Sequence, residues 1–376
     1  MRADPRSRQL LNAIGEGAEA LDRGLRGPGA EVAQLRTHGW LQAALPAAFG
    51  GQDWGQSGCG ADDGFAALFS LASVSLPMTR IYEGHVNSVR LIDRNGSLAQ
   101  RERIFAQVRA GILLGIWGAE GERPAVIVAG DRGPLLHGTK TFASGLGEVA
   151  CAIVVAGDAR GQCQMVLADA ADPDRARSDV WDVAAMVGTC SGEFVTDNLP
   201  AGDDWLLGPP GALFVEPDFN GGVWRLCAAY AGAMSAIATR TFGQMRQRGC
   251  DDDAAMRVRL GHVAHHAHTA LLWAWQACRA LEKGGEKRGE NPHHAVAMSL
   301  FAREAIEQAA LSQLVLVERI AGTSLHRRGS SLGRQVRDLR FFLRQAALDG
   351  KLDAATSIWQ DDPLFVLDAL VRPERQ

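Results

Sequence analysis

Paired cysteines are missing from this sequence. Its seven cysteines, at 59, 151, 163, 190, 227, 250 and 278, form no C-x-x-C pair, and an odd number leaves no complete disulfide framework. That pattern speaks against a small disulfide scaffold and predicts a reducing, cytoplasmic compartment. An excess of positive charge is missing too. The 39 Lys and Arg are outweighed by 43 Asp and Glu, for a net charge of -4, so the balance gives no electrostatic case for nucleic acid. No stretch reaches the ~18 uncharged apolar residues of a membrane span; the longest candidate, 221–238, contains Arg225. The opening Met1-Arg2-Ala3-Asp4-Pro5-Arg6 has charge with no apolar core behind it, which predicts no signal peptide. Glycine is abundant at 43 residues, yet no G-x-y period appears.

What is present changes texture twice along 376 residues, a length that suits two or three domains. Residues 1–111 read as helical. Leu10, Leu11, Ile14, Ala18 and Leu21 recur at helical spacing, and Ser97 with Gln100 spells a capping box. Residues 112–213 read as short strands, at Ile112–Trp117, Ala125–Ala129, Cys151–Ala156 and Gln164–Ala168, separated by turn residues. From 214 to 376 long apolar helices follow, at Val223–Arg248, Ala254–Glu282, His293–Gly322 and Gly333–Asp349. The expected fold is α+β and mostly α: a helical N-terminal domain, a middle β-barrel and a C-terminal four-helix bundle.

One segment carries a chemical signal. Gly138-Thr139-Lys140-Thr141-Phe142-Ala143-Ser144-Gly145 precedes the apolar run 151–156. A strand ending in an aromatic, a small residue and a hydroxyl can lay a ring against a planar cofactor and donate to its edge. The segment resembles the flavin loop of the acyl-CoA dehydrogenase family. Other pieces are similar in the same order. They are His38-Gly39-Trp40-Leu41 with Phe49-Gly50-Gly51, Glu83-Gly84-His85, Gly115 to Glu120, Met186 to Ser191, Leu207 to Gly211, and Arg334-Gln335-Val336-Arg337-Asp338-Leu339. The resemblance spans nearly the whole chain. It implies FAD, a small-molecule substrate such as an acyl thioester, and a homodimer or homotetramer formed through the bundle. It also implies roles for single residues. Phe142 would pack on the isoalloxazine, Ser144 would bond its N5 edge, and Trp117 would lie close by. Arg248 would meet the FAD diphosphate across a subunit interface, and Ala321-Gly322 would let backbone approach the cofactor.

The same resemblance exposes gaps. Dehydrogenation of a thioester needs a base, and the family's two glutamate positions are Ala346 and Trp224 here. Losing a general base typically costs ~10²–10⁴ in rate. Glu83, Glu120, Glu216 and Asp218 are the carboxylates nearest in motif context. The loop at Gly118 to Pro124 has Ala119 where the family has threonine, and it lacks the following G-S-D. Ser330 to Leu339 also resembles the flavin-dependent monooxygenases of this fold, but their histidine position is Gln345. Catalytic residues are therefore unassigned. Three readings stay open: an acyl-CoA dehydrogenase-like enzyme with an atypical base, a flavin monooxygenase, and a catalytically silent partner subunit. His262, His265, His266, His268, His293 and His294 are expected to form a surface or subunit-interface stripe and no metal site, because the Glu-x-x-His pairs of a di-iron bundle are missing.

Overall fold

The structure, a computed structural model, describes residues 5–361 apart from 57, 59, 285–291 and 346. Ala346, one expected base position, thus lies outside the described residues. Six helices come first: α1 Pro5–Asp22, α2 Gly29–Thr37, α3 Trp40–Ala43, α4 Ala61–Val74, α5 Leu76–Asn95 and α6 Leu98–Arg109. The apolar spacing of α1 buries Leu10, Ile14, Ala18 and Leu21 completely or nearly so. The Ser97–Gln100 capping box forms as the sequence predicts, with both reciprocal bonds present. Helix α5 is the longest of these, at 20 residues. Ser75 caps it through the Met78 N–H, and Pro77 sits in its first turn, where its lack of an N–H costs nothing.

Helix α5 is fastened to the strands by His85. Its ring is fully buried, and burial pushes its pKa down to about 4, so the imidazole is neutral. The Leu114 N–H donates to Nδ1 at 3.1 Å, which makes Nδ1 the acceptor. Nε2 then carries the proton and donates to Leu41 O at 2.9 Å.

Ten strands follow: β1 Leu113–Trp117, β2 Val126–Val128, β3 Leu135–His137, β4 Thr139–Lys140, β5 Val149–Gly157, β6 Cys163–Asp169, β7 Ala176–Arg177, β8 Glu193–Val195, β9 Leu199–Pro200 and β10 Leu206–Leu207. Where a barrel is expected, two sheets form a half-barrel: one in the order β10-β6-β5-β2-β3-β9, with β1 on β5, and one in the order β4-β8-β7. The near-continuous apolar run of β5 makes it the central, buried strand. Two partners share one edge of it. Strand β1 pairs from Leu113↔Val149 to Trp117↔Val154, and β2 only at Val126↔Gly157. The Val155 carbonyl falls between them. Lys140 Nζ fills the gap, donating to Val155 O at 2.7 Å while ion-paired to Glu120 at 2.8 Å. A fully buried lysine is tolerated there because Glu120 pairs its charge and the two contacts take two of its three donors, although burial pushes its pKa down.

The last helices are α7 Trp224–Gln247, α8 Ala254–Gly284, α9 Pro292–Ala321, α10 Ser331–Phe342 and α11 Leu348–Asp361. Helix α7 packs against α4, α8, α9 and α10. Gly232 lets α4 cross it closely, since a Cβ there would sit 2.1 Å from Phe69 O. An ionic knot ties α5, α7 and α8 together. Glu282 accepts from both Arg90 and the Trp224 indole, and Asp218 pairs with the same Arg90. One expected helix is divided. The predicted 333–349 segment stops at Phe342, and Ala347 turns into the left-handed region at φ 59° before α11 begins.

Candidate functional site

The aromatic segment turns out to be strained and open. Phe142 has φ 50°, a region that a bulky residue rarely enters. Hydrogen bonds on either side hold it there: Thr141 N–H to Ala119 O at 3.1 Å and Ala143 N–H to Gly192 O at 3.1 Å. The strain presents the ring outward, 58% exposed. Its edge meets Trp181 at 5.9 Å between ring centroids, and Trp181 in turn meets Phe341 at 6.0 Å, both T-shaped. Phe341 is itself 39% exposed at the end of α10. An aromatic row thus runs from the half-barrel to the last bundle helices.

Beside Phe142 a chain of hydroxyls ends in the open. Thr189 Oγ1 lies 2.8 Å from both Met186 O and Ser191 Oγ. Ser191 Oγ donates to Ser144 Oγ at 3.1 Å. With that orientation Ser144 keeps its own proton for another acceptor, because its contact to Phe142 O at 3.5 Å is too long to hold it. The segment carrying Thr189 and Ser191 is clamped by α10. Asp338 accepts from the Met186 N–H at 2.6 Å, and Arg337 bridges to Asp22 of α1. Burial pushes the Asp338 carboxyl up to about 6. Gly188 allows the close approach to α1, since a Cβ would meet Leu21 Cβ at 2.9 Å.

The other expected site residues fall into two groups. Trp117 stands behind Ser144, donating from its indole N–H to Ser144 O at 3.2 Å. Its ring packs on Phe194 and is 2% exposed, so it supports the segment and offers no open face. Arg248 and Gly322 lie elsewhere. Arg248 ends α7 and donates to Ser324 Oγ at 2.8 Å, in the turn that Gly322 begins. Gly322 adopts φ 61°, and the space beside its Cα is open. The bundle end brings these two together, apart from the Phe142 segment.

A cavity of about 220 Å³ opens beyond the end of α10, lined by Val223, Leu226, Arg303, Gln345 and Lys351. No carboxylate is among these residues. Trp224, the second expected base position, is turned away to donate to Glu282 at 2.8 Å. The four acids singled out in the sequence are engaged in other contacts. Glu83 pairs with Arg80 and Arg225, Glu120 with Lys140, and Asp218 with Arg90 and Arg94, while Glu216 accepts from Asn220. Arg303, Lys351, Trp181 and Phe341 were not among the residues expected at a site. Thr189 and Ser191 had a signal, since they sit in the quoted 186–191 segment.

No family model matches the chain, and no curated protein does. Solved structures do. TdsC from Paenibacillus sp. A11-2, in complex with FMN and indole, is 19% identical over 94% of this chain and 95% of its own, with a TM-score of 0.79. The methanesulfinate monooxygenase MsuC from Pseudomonas fluorescens is 18% identical over 96% and 97%, with a TM-score of 0.81. KijD3 in complex with FMN and a dTDP-linked amino keto sugar is 17% identical over 100% and 96%, with a TM-score of 0.80. At such identities the likeness establishes architecture. This chain has the acyl-CoA dehydrogenase fold, α+β and mostly α.

Proposed function

We propose that this chain is a flavin-dependent oxidoreductase and, within that class, a monooxygenase acting on a small substrate and not an acyl-CoA dehydrogenase. The observation that carries the class is the outward, strained Phe142 beside the open-ended hydroxyl at Ser144. A planar apolar ring system with hydrogen-bond acceptors on its edge fits this corner, which offers an exposed aromatic face and a proton with no acceptor. FMN in TdsC and KijD3 supports the same reading. When bound, a reduced flavin supplies two electrons and the means to activate dioxygen.

The cavity favours the monooxygenase branch. Removing an α-proton from a thioester needs a base within hydrogen-bond reach. The cavity offers two cations and a carboxamide, and the four candidate acids are engaged in other contacts. Its volume holds about seven waters at ~30 Å³ each, which suits a compact substrate. In this reading Phe142 stacks on the flavin, Ser144 donates to its edge, and Trp117 holds Ser144 in place. FAD would also engage Arg248 and Gly322 of a second copy in a homodimer or homotetramer, whereas FMN would not need them. The test is anaerobic mixing of flavin-loaded protein with a panel of acyl-CoA thioesters. The expected result is no bleaching of the flavin absorbance, with oxygen consumption once the flavin is reduced separately. Bleaching by any thioester would overturn the monooxygenase reading.

A further inference from the structure

The turn at residues 186–192 is backbone that its side chains do not favour. Met186 sits at φ 56° and Cys190 at φ 40°, so two non-glycine residues of one short turn occupy the left-handed region. Such backbone persists only where its surroundings over-determine it. Inner bonds close the turn, from the Thr189 N–H to Met186 O and from the Cys190 N–H to Val187 O, each at 3.0 Å. They do not fix where it sits. Helix α10 does. Asp338, 2% exposed, accepts from the Met186 N–H at 2.6 Å, and Arg337 Nε donates to Ala184 O at 3.3 Å. The turn in its turn holds the Phe142 segment. The ladder of β4 on β8 ends at Lys140↔Phe194. Beyond it the Ala143 N–H donates to Gly192 O at 3.1 Å, the Gly145 N–H to Thr189 O at 2.8 Å and the Leu146 N–H to Cys190 O at 3.2 Å. The hydroxyls of Thr189 and Ser191 lead from the same turn to Ser144 Oγ. Backbone bonds and a hydroxyl chain thus carry the position of the turn to Ser144.

We propose that Asp338 is a positioning residue of the flavin site: from the bundle, through the Met186 N–H and the turn it anchors, it sets the direction of the Ser144 hydroxyl in the half-barrel. The inference deepens the proposed function and rests on it for the flavin, while the link from α10 to Ser144 lies in the chain's own hydrogen bonds. Asp338 acts through the turn and meets neither cofactor nor substrate. A carboxylate suits the task, because a backbone N–H bonds a charged acceptor more tightly than a neutral one. The energetic contrast between replacements follows. Asparagine keeps an acceptor oxygen for the Met186 N–H, whereas alanine leaves that N–H buried without one and releases the strained turn.

The test joins FMN titrations of variants to native-state hydrogen exchange on the flavin-free parent chain. Asp338→Ala should weaken FMN ~3–10-fold, the worth of one hydrogen bond from Ser144. Asp338→Asn should bind FMN within about twofold of the parent, since its acceptor remains. Added to Ser144→Ala, the Asp338→Ala change should cost less than about twofold more, because both act through one hydroxyl. A residue that only stabilised the fold would weaken FMN equally in both backgrounds. Parental affinity in Asp338→Ala, or an equal loss with and without the Ser144 hydroxyl, would overturn the proposal. The exchange arm needs neither a variant nor a flavin, so it decides even where Asp338→Ala fails to fold. The amides of Ala143, Gly145, Leu146 and Met186 should open together with those of α10, as one cooperative unit. Opening of residues 143–146 while α10 stays closed would overturn the proposal. The two arms also separate the two readings. Linked opening in a parent chain that takes up no flavin would overturn the flavin reading alone, and flavin uptake with unlinked opening would overturn this one alone.

Discussion

Replacing Phe142 by alanine and by glycine should separate binding from folding. The ring is 58% exposed. A phenylalanine presents on the order of 200 Å² when fully open, so about 115 Å² is available to a ligand. A flavin lying across one face would cover about half of that, and ~60 Å² at ~25 cal/mol/Å² is about 1.5 kcal/mol. Both substitutions should therefore weaken flavin binding about tenfold. Stability should follow a different order. At an ordinary site alanine is favoured over glycine by ~0.5–1 kcal/mol. At φ 50° the preference reverses, because a Cβ in the left-handed region costs ~1–2 kcal/mol. Phe142→Gly should thus be more stable than Phe142→Ala by about 0.5–1 kcal/mol, while both lose the same edge contact with Trp181. Fluorescence titration with FMN and FAD reads the first effect, and denaturant unfolding reads the second. Unchanged flavin affinity in Phe142→Ala would refute the placement of the cofactor. Alanine more stable than glycine would refute the strain argument.

Three other outcomes follow from named contacts. Glu282→Ala should destabilise the protein by about 3–5 kcal/mol, because it leaves Arg90 buried and strips the Trp224 indole of its acceptor; an unfolding midpoint within experimental error of the parent would contradict this. Asp338 is an acid whose folded pKa, about 6, lies above its ordinary value of 3.8, so the folded state binds the extra proton between those values. Stability should fall as pH rises from ~4 to ~6, on the order of 2–3 kcal/mol, and Asp338→Asn should flatten that slope; an unchanged slope in the variant would assign it to another group. Arg248→Ala should weaken FAD and leave FMN untouched if the diphosphate crosses to a partner copy, and equal effects on both flavins would place Arg248 outside any diphosphate contact.

Much of the architecture was legible because local signals agreed with the tertiary solution. The Ser97–Gln100 box marked the start of α6, and the apolar run around 151–156 marked the central strand β5. Helix α10 shows where such reading fails. Gln345, Ala347 and Leu348 continue a helical pattern by propensity, yet the chain breaks after Phe342. There Leu343 O accepts from Arg303, Phe342 O accepts from the Tyr230 hydroxyl, and Ala347 takes a positive φ. These contacts come from helices more than 35 residues away, so no window of sequence contains them. The site divides in the same way. Phe142 and Ser144 were visible as a contiguous segment. Trp181, Phe341, Arg303 and Lys351 are scattered between residues 181 and 351, and only the fold brings them to one cleft and one cavity. The carboxylates were legible as residues, but not their partners. Glu83, Glu120 and Asp218 stood out in sequence only as the carboxylates nearest in motif context, and the fold supplies each with an ion-pair partner.

The most direct measurement is an absorbance titration of the purified chain with FMN and with FAD, repeated on Ser144→Ala. The expected result is saturable binding of at least one flavin with a shifted visible spectrum, and a weaker, less shifted spectrum in the variant, since its hydroxyl no longer meets the ring edge. A chain that leaves both flavin spectra unchanged at every concentration would contradict the account.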